Sequence, residues 1–310
     1  MPCRIGVMSR ANEEATLRLE RLAATPLTPV GAVTGRGAWW GAVRAVFSHR
    51  EMLNLLVRRD LKARYKDSTL GFFWSLIRPL IQLAVYFVVM GQFLQAARSI
   101  PDFAVYIFSG LCAIGLFTEI VVGGTGSVLA NAGLVKKVYL PREVFPLSSV
   151  GAAFFNFCIQ LIVLVAATLL VAKPPLHLQL AYAFPAIALI LVYGTAFALL
   201  FSAVNVYLRD VQYLVEVITM LLFWASPIVY SWQMAKTLIP SPVVLDIYTN
   251  NPLTLAVLGF QRAFWVAGDS AEWPSDLLLR MGIAFVIGAV LLLLCHRLFI
   301  RLQGNFAQEL

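Results

Sequence analysis

The sequence predicts an all-α membrane protein with six spanning helices, and three observations lead to this fold class. First, 60% of its 310 residues are hydrophobic and 13% are charged, whereas a soluble domain carries about a quarter charged residues. Second, the mean hydropathy of +0.80 excludes a soluble enzyme, a disordered scaffold and a coiled coil. Third, the apolar stretches are about 20 residues long, which suits spanning helices better than core strands or barrel strands.

Six stretches have the length that a bilayer requires. The predicted spans are residues 71–95, 103–124, 147–172, 180–204, 215–232 and 277–295. Few charges lie within or beside them, and these are Arg78, Glu119, Glu216 and Arg280. A proton-coupled carrier usually holds acidic groups that face one another, so Glu119 alone is weak evidence for a proton site. A carboxylate that faces a lumen or the interface is the simpler interpretation, and a proton site is the alternative.

The basic residues predict the orientation of the spans. Of the 24 Lys and Arg residues, 18 fall on the side that holds both termini and five on the other side. The positive-inside rule therefore predicts that both termini are cytoplasmic. The same distribution accounts for the net charge of +8 without a nucleic-acid partner. The expected domains are a flexible cytoplasmic arm at 1–38, an interfacial amphipathic helix at 39–67 and a six-helix transmembrane domain at 68–310.

Residues 39–67 combine apolar residues at helical spacing with a dense basic cluster. The cluster consists of Arg58, Arg59, Lys62, Arg64 and Lys66, and Arg78 follows within the first span. A helix of this composition lies in the membrane interface, where its cations approach lipid phosphates. Two interpretations stay open: the cations only fix the topology, or they bind the anionic head group of a substrate lipid.

The connections between the spans carry further signals. Residues 131–146 contain two prolines and suggest a short cytoplasmic helix and a turn, whereas residues 205–210 form a tighter connection. For Asp210 the first expectation is a helix cap, because an acidic side chain there complements the helix dipole. Residues 233–276 are too apolar for a plain loop and too interrupted to span, which favours a pair of short re-entrant helices at the outer face.

The sequence lacks the motifs of several enzyme classes. No Gly is followed by Lys, so a P-loop for ATP is absent, and there is no H-E-x-x-H motif. The four cysteines show no C-x-x-C spacing. A membrane-embedded transferase would need an acidic or histidine cluster at one interface, which the sequence does not offer. We therefore expect a transport subunit rather than an enzyme, with no catalytic residue, metal site or cofactor in this chain.

Several dispersed motifs resemble those of one family, in the same order. Residues 57–79 have the sequence V-R-R-D-L-K-A-R-Y-K-D-S-T-L-G-F-F-W-S-L-I-R-P, which resembles the entry segment of ABC-2 type permeases. The segment 131–146, the pair Arg209-Asp210, the sequence Ser-Pro-Ile-Val-Tyr at 226–230 and Asn251-Pro252 follow in register. The resemblance covers about residues 48–310 and is closest to the branch that exports cell-surface polysaccharides.

The resemblance implies the type V exporter fold and a homodimer of six-helix subunits. It also implies two copies of a separate ABC ATPase, which would bind ATP and Mg²⁺. The substrate would be a lipid-linked polysaccharide of the O-antigen, teichoic acid or galactan type, exported across the cell inner membrane. The residues expected to couple to the ATPase are Leu134, Lys136, Lys137, Tyr139, Arg209 and Asp210. The alternatives are an ABC-2 permease for drugs or lipids and, from other classes, a membrane-embedded transferase or a proton-driven carrier.

Aromatic residues in spans one and five are candidates for a glycan path. They are Tyr86, Phe93, Phe223, Trp224 and Tyr230. Sugars present C–H faces that pack on aromatic rings. Tyr86 and Phe93 are seven residues apart, which places them two turns along one face of a regular helix. Two alternatives stay open: aromatic residues at span ends anchor a helix in the interface, and a buried tyrosine hydroxyl bonds to an adjacent helix.

Overall fold

The computed structural model describes residues 44, 48–65, 73–93, 100–137, 140–170, 177–268 and 273–310, and within these ranges the chain forms helices and no strands. The first helices are α1 (Arg50–Tyr65), α2 (Trp74–Tyr86) with a π-helical continuation (Phe87–Phe93), α3 (Phe103–Ala130), α4 (Ala132–Lys137), α5 (Val144–Leu170) and α6 (Ala183–Tyr207). They are followed by α7 (Val211–Trp224), α8 (Trp232–Leu238), α9 (Pro242–Thr249), α10 (Pro252–Phe264), α11 (Leu277–Leu302) and α12 (Phe306–Glu309). The predicted arm at 1–38 lies outside the described residues.

Within the described residues, five helical segments are long and apolar enough to cross a membrane, and they confirm predicted spans one to four and six. These segments are Trp74–Phe93, Phe103–Ala130, Val144–Leu169, Leu178–Tyr207 and Leu277–Asn305. The predicted fifth span at 215–232 was too long, because α7 has 14 residues and ends at Trp224. Pro227 explains this end, since it disfavours helical backbone at the residue before it.

The region between α7 and α11 holds three short helices where the sequence suggested a pair. The helices α9 and α10 are bent by 71° relative to each other across a short break. The break is set locally, because the Asn251 side chain accepts a hydrogen bond from the Leu253 backbone N–H and Pro252 follows at the first helical position. Helix α10 is buried along almost all of its length between α3, α6 and α11. Such irregular backbone at membrane depth is stable where protein surrounds it.

Helix α3 is the centre of the bundle. It packs against α5, α6, α7 and α10, and most of its side chains are buried, as expected for a helix surrounded by protein. The closest approach is to α6, where a Cβ atom added at Gly124 would overlap with the Cβ of Ala198. A glycine is therefore required at this crossing, because any side chain would push the two helices apart.

One end of the bundle, which we call the basic end, carries α1, α4, the turn 208–210 and the C-terminal helix α12. Helix α1 is the described part of the predicted amphipathic helix, and it packs on α5. Its Leu56 side chain is buried in an apolar cluster that also contains Phe145 and Phe306. The aliphatic side chain of Val57 approaches Gly151 of α5. Part of the apolar face of α1 thus contacts protein, while Leu55 stays exposed.

Candidate functional site

A groove lies between α2, α3 and α7, with a volume of about 750 Å³. Each of the three helices contributes one face, since the lining residues are spaced three, four or seven positions apart. The lining residues that the site uses are Gln82 and Tyr86 of α2, Thr118 and Glu119 of α3, and Glu216, Thr219, Phe223 and Trp224 of α7. The groove thus combines aromatic rings with hydroxyl, amide and carboxylate groups, within helices that are otherwise apolar.

Aromatic rings form one part of the groove. The ring centroids of Tyr86 and Phe223 are 5.9 Å apart with an interplanar angle of 34°. Phe223 and Trp224 follow each other in the sequence, and their rings meet edge to face at 5.4 Å. The Trp224 side chain is half-exposed. Together the three rings provide an apolar surface with one phenolic hydroxyl, which can receive the C–H face of a polar ligand.

Two carboxylates form the polar part. The Asn156 side chain of α5 donates a hydrogen bond of 2.7 Å to Oε1 of Glu119. The Gln212 side chain donates one of 3.2 Å to Oε1 of Glu216, one helical turn further along α7. The amide groups orient both carboxylates, and a carboxylate oxygen accepts hydrogen bonds from hydroxyl groups. The groove can therefore accept hydrogen bonds from a ligand that is rich in hydroxyl groups.

Three of the five predicted path aromatics line the groove, and two do not. Phe93 is 76% exposed at the end of the π-helical segment Phe87–Phe93 and does not line the groove. The wider turn of a π-helix explains this, because it breaks the regular spacing that would place Phe93 beneath Tyr86. The Tyr230 hydroxyl donates a 3.1 Å hydrogen bond to the backbone carbonyl of Trp224, and Tyr230 is not among the residues that line the groove.

Sequence reasoning did not single out Gln82, Thr118 and Thr219, which also line the groove. Polar residues of this kind are unremarkable when each is taken alone in a long apolar stretch. The available signal was their spacing from flagged residues, since Gln82 is four positions before Tyr86, and Thr219 is three after Glu216. The Asn156 contact to Glu119 links two different spans and has no local signal.

The predicted head-group cations are not equivalent in the structure. Arg58 and Lys62 are exposed on α1. Arg59 instead donates from Nη2 to Oδ1 of Asp60 and to Oδ1 of Asn131, both at 2.7 Å. This guanidinium ties α1 to the junction of α3 and α4. Arg78 is exposed on α2, whereas the Arg64 side chain and all of Lys66 lie outside what the structure describes.

The predicted coupling residues lie at the basic end. Lys136 and Lys137 are exposed in the last turn of α4, Leu134 is half-buried, and Tyr139 lies outside the described residues. Arg209 and Asp210 are exposed in the turn before α7.

The expected position of Asp210 as the cap residue of α7 is confirmed, but a capping hydrogen bond is not formed by its side chain. Asn205 takes this role, since its Oδ1 accepts from the Gln212 backbone N–H at 3.2 Å and its Nδ2 donates to the Thr125 carbonyl at 3.1 Å. The buried Asn205 thereby fixes the turn, while Asp210 projects from it.

At the opposite end, side chains of α3 and α10 hold the segment after α7. The Tyr106 hydroxyl lies 3.0 Å and 2.9 Å from the carbonyl oxygens of Pro227 and Tyr230. The Gln261 side chain donates a 2.7 Å hydrogen bond to the same Pro227 carbonyl. The Tyr106 ring also meets Trp265 edge to face at 4.9 Å. This network fixes the position of the segment that follows α7.

Among the described residues, no group of three or more His, Cys, Asp or Glu side chains could hold a metal ion. The described helices and the groove define an all-helical membrane protein with a partly polar groove beside its central helix. The chain belongs to the ABC-2 type transporter family, whose pattern matches residues 51–265.

Similar proteins cover most of the chain. Over 261 residues it is 28% identical to the O-antigen export system permease protein RfbA of Klebsiella pneumoniae. This match covers 84% of this chain and 95% of that protein. It is 31% identical over 225 residues to the protein of the same name from Myxococcus xanthus, covering 72% of this chain and 84% of that protein. A shorter match of 99 residues, 27% identical, relates 31% of the chain to 36% of the polysialic acid transport protein KpsM of Escherichia coli.

Proposed function

We infer that this chain is the membrane-spanning permease subunit of an ATP-driven exporter for a lipid-linked cell-surface polysaccharide. The observation that carries this inference is the lining of the groove, in which Tyr86, Phe223 and Trp224 lie beside carboxylate, amide and hydroxyl groups. A sugar chain has apolar C–H faces that pack on such rings and hydroxyls that donate to such acceptors. The similarity to O-antigen export permeases over most of the chain supports the same substrate class.

A second copy of the chain is part of this proposal. None of the residues Trp74–Tyr86 of α2 is buried, and the α7 side chain of Glu216 is exposed. A carboxylate that faces hydrocarbon is unfavourable by about 2.5–3.5 kcal/mol at the centre of a span, so it needs a polar or protein environment. A homodimer that joins the α2 and α7 flanks of two copies would supply this environment and would enclose the two grooves as one path.

Energy comes from a separate subunit in this proposal. The sequence has no P-loop, and the described basic end presents exposed Lys136, Lys137, Arg209 and Asp210. We assign these groups to contacts with two copies of an ABC ATPase, which binds ATP and Mg²⁺ itself. We assign the basic end and both termini to the cytoplasm and the bundle to the inner membrane, and the excess of Lys and Arg on that side supports this orientation. Arg58 and Lys62 are then at the level of lipid phosphates, where they would meet the head group of the substrate.

Co-purification followed by reconstitution tests the proposal. The chain is isolated from native membranes with its associated proteins and lipids, and the complex is placed in proteoliposomes with the lipid-linked glycan that accompanies it. We expect an ABC ATPase in the complex and glycan transport that requires ATP. Transport by the chain alone under a proton gradient would indicate a carrier. Transport of small amphiphiles without any response to the glycan lipid would indicate a drug or lipid exporter.

A further inference from the structure

A second cleft, which we call the outer cleft, lies at the end of the bundle opposite the basic end. Its volume of about 390 Å³ falls within the range of about 300–1,000 Å³ that is usual for small-ligand pockets. It is formed by α8, α9, the segment before α11 and the first turn of α11, and no described residue lines both this cleft and the groove. Its aromatic, charged and amide lining residues are Trp232, Gln233, Lys236, Asp246, Trp273 and Arg280.

Contacts between the helices fix the walls of the outer cleft. The Arg280 Nη1 of α11 donates a 2.9 Å hydrogen bond to Oδ1 of Asn250 and lies 3.5 Å from Oδ1 of Asp246 in α9. The Trp232 indole of α8 donates a 3.0 Å hydrogen bond to the Thr249 hydroxyl at the end of α9. Protein contacts therefore link all three helices, and the cleft is formed without a ligand.

The Trp273 side chain gives the outer cleft an aromatic surface. Trp273 is half-buried, and its ring meets the Trp265 ring edge to face at 5.9 Å. Trp265 is itself anchored, because its indole donates a 2.7 Å hydrogen bond to the Pro101 carbonyl. A Cβ atom at Gly268 would overlap with the Trp265 ring and crowd the Trp273 ring, so a glycine is required beside the pair. The Trp273 ring is thus held in place, and such a ring can receive the C–H face of a sugar.

Polar groups of α8 and α9 that face the outer cleft have few partners among the described residues. The Lys236 Nζ lies 5.4 Å from the centroid of the Trp232 ring and forms no ion pair with a described carboxylate. The Oε1 atom of Gln233 is buried and accepts no hydrogen bond from a described residue. A buried acceptor without a donor is rare in proteins, and a ligand hydroxyl would supply the donor. The exposed carboxylate of Asp246 adds further acceptor oxygens.

This combination of groups fits a sugar better than an anion. A sugar hydroxyl both donates and accepts, so it can donate to Gln233 or Asp246 and accept from Lys236. A fully ionised anion has no proton to donate to the Gln233 oxygen, and it would meet the Asp246 carboxylate as a like charge. The Arg280 guanidinium is already engaged by Asn250 and Asp246.

We propose that the outer cleft is a second glycan-binding site, which holds sugar residues of the polysaccharide after they leave the groove. The proposal rests on the function proposed above and adds a site on the far side of the path. Trp273 packs against the sugar ring, while Lys236, Gln233 and Asp246 bind its hydroxyls. Reversible binding there retains exported sugars on the outer side, in line with the weak successive sites that conduction requires.

Chemical labelling of lysines tests the site without a variant. The complex of the chain with its ATPase is acetylated briefly in detergent, with and without a lipid-free oligosaccharide. This probe is released by mild acid from the lipid-linked glycan that accompanies the complex, and mass spectrometry measures the labelling of each lysine. At about ten times the dissociation constant, we expect the labelling of Lys236 to fall about tenfold, because the bound fraction is protected. Lys62 and Lys137 are internal controls, since both are exposed at the basic end and should not respond to the oligosaccharide.

Variants then assign the protection to the outer cleft. Trp273→Ala should raise the oligosaccharide concentration that half-protects Lys236 about two- to tenfold, because an aromatic surface is lost. Gln233→Leu is a second variant of similar size, and it should have an effect in the same direction. Thr237→Ala is the matched control, because Thr237 is exposed on α8 but does not line the cleft. Tyr86→Ala, in the groove, should also leave the protection unchanged.

The outcomes separate the two proposals. Equal labelling of Lys236 with and without the oligosaccharide, or protection that Trp273→Ala and Gln233→Leu both leave unchanged, overturns the second site. Protection by inorganic pyrophosphate but not by the oligosaccharide also overturns it, since the cleft would then bind anions. In these cases, ATP-driven export of the lipid-linked glycan by the same complex in proteoliposomes leaves the proposed function standing. Absence of that export from an assembled complex overturns the proposed function and the second site together.

Discussion

The ring of Tyr86 in α2 lies 5.9 Å from the ring of Phe223 in α7, although the two residues are 137 positions apart in the sequence. Both helices pack on α3, and this pair bridges them across one side of the groove. The contact joins the least buried of the five long apolar segments to the shorter helix α7. Helix α7 begins at the turn that we assign to the ATPase.

The first prediction concerns this aromatic surface. Replacement of Tyr86 by Ala removes a ring that lines the groove, and an aromatic contact contributes about 0.5–1.5 kcal/mol. We expect Tyr86→Ala to lower ATP-driven glycan export about two- to tenfold while basal ATPase activity and complex assembly persist. Phe93→Ala is the matched control, because Phe93 lies on the same segment but outside the groove. Normal export by Tyr86→Ala, or an equal loss in Phe93→Ala, would argue against an aromatic path.

The second prediction separates two adjacent arginines of α1. Arg59 is bonded to Asp60 and Asn131, so Arg59→Ala should lower the midpoint of thermal unfolding in detergent. The loss should be at most about 1 kcal/mol, since the guanidinium is partly exposed to solvent. Arg58→Ala should leave that midpoint unchanged and instead weaken the stimulation of the ATPase by lipid diphosphate. Equal behaviour of the two variants in both assays would contradict the distinction.

The third prediction concerns the crossing of α3 and α6. A Cβ atom at Gly124 would overlap with Ala198, so Gly124→Ala should destabilise the bundle by about 1–3 kcal/mol. The second-site change Ala198→Gly should restore much of the loss, because it removes the clashing methyl group. Thermal unfolding of the two single variants and of the double variant measures this coupling. Independent, additive effects would show that the two positions are not in contact.

The fourth prediction concerns the turn before α7. Because Asp210 makes no capping hydrogen bond, the double variant Arg209→Ala with Asp210→Ala should fold normally. It should retain ATP hydrolysis but lose coupling to export, which parallel assays of both activities detect. Asn205→Ala is the contrasting variant, since it removes the buried side chain that holds the turn, and it should cost about 1–3 kcal/mol of stability. Intact coupling in the double variant would leave Arg209 with a topological role alone.

The sequence predicts the spans better than it predicts the groove. Hydropathy is enough for five spans, because bilayer thickness requires about 20 consecutive, mostly apolar residues, which is a readily recognised pattern. Hydropathy does not predict where the fifth span ends, since Pro227 ends α7 inside an apolar stretch that continues beyond it. The orientation of Phe93 was not predicted either, because the π-helix Phe87–Phe93 departs from the regular helical period.

The other features that the sequence did not predict depend on contacts between residues that are far apart in the sequence. Arg59 is predicted correctly as part of a basic face, but its bond to Asn131 joins residues 72 positions apart. Local patterns carry no information on such a pair. The cap of α7 is a similar case, because Asn205 reaches forward seven residues to Gln212 across a turn. The acidic helix-start residue that pattern reasoning favoured, Asp210, is thereby left exposed.

Photo-crosslinking from within the groove tests most directly the central claim, that the glycan moves between α2, α3 and α7. A photoreactive phenylalanine analogue is placed at Phe223, and in a parallel sample at Phe93, in the ATPase complex during ATP-driven export. We predict glycan adducts from position 223 that depend on ATP, and lipid adducts alone from position 93. Lipid adducts alone at both positions, in a complex that still exports glycan, would contradict this path.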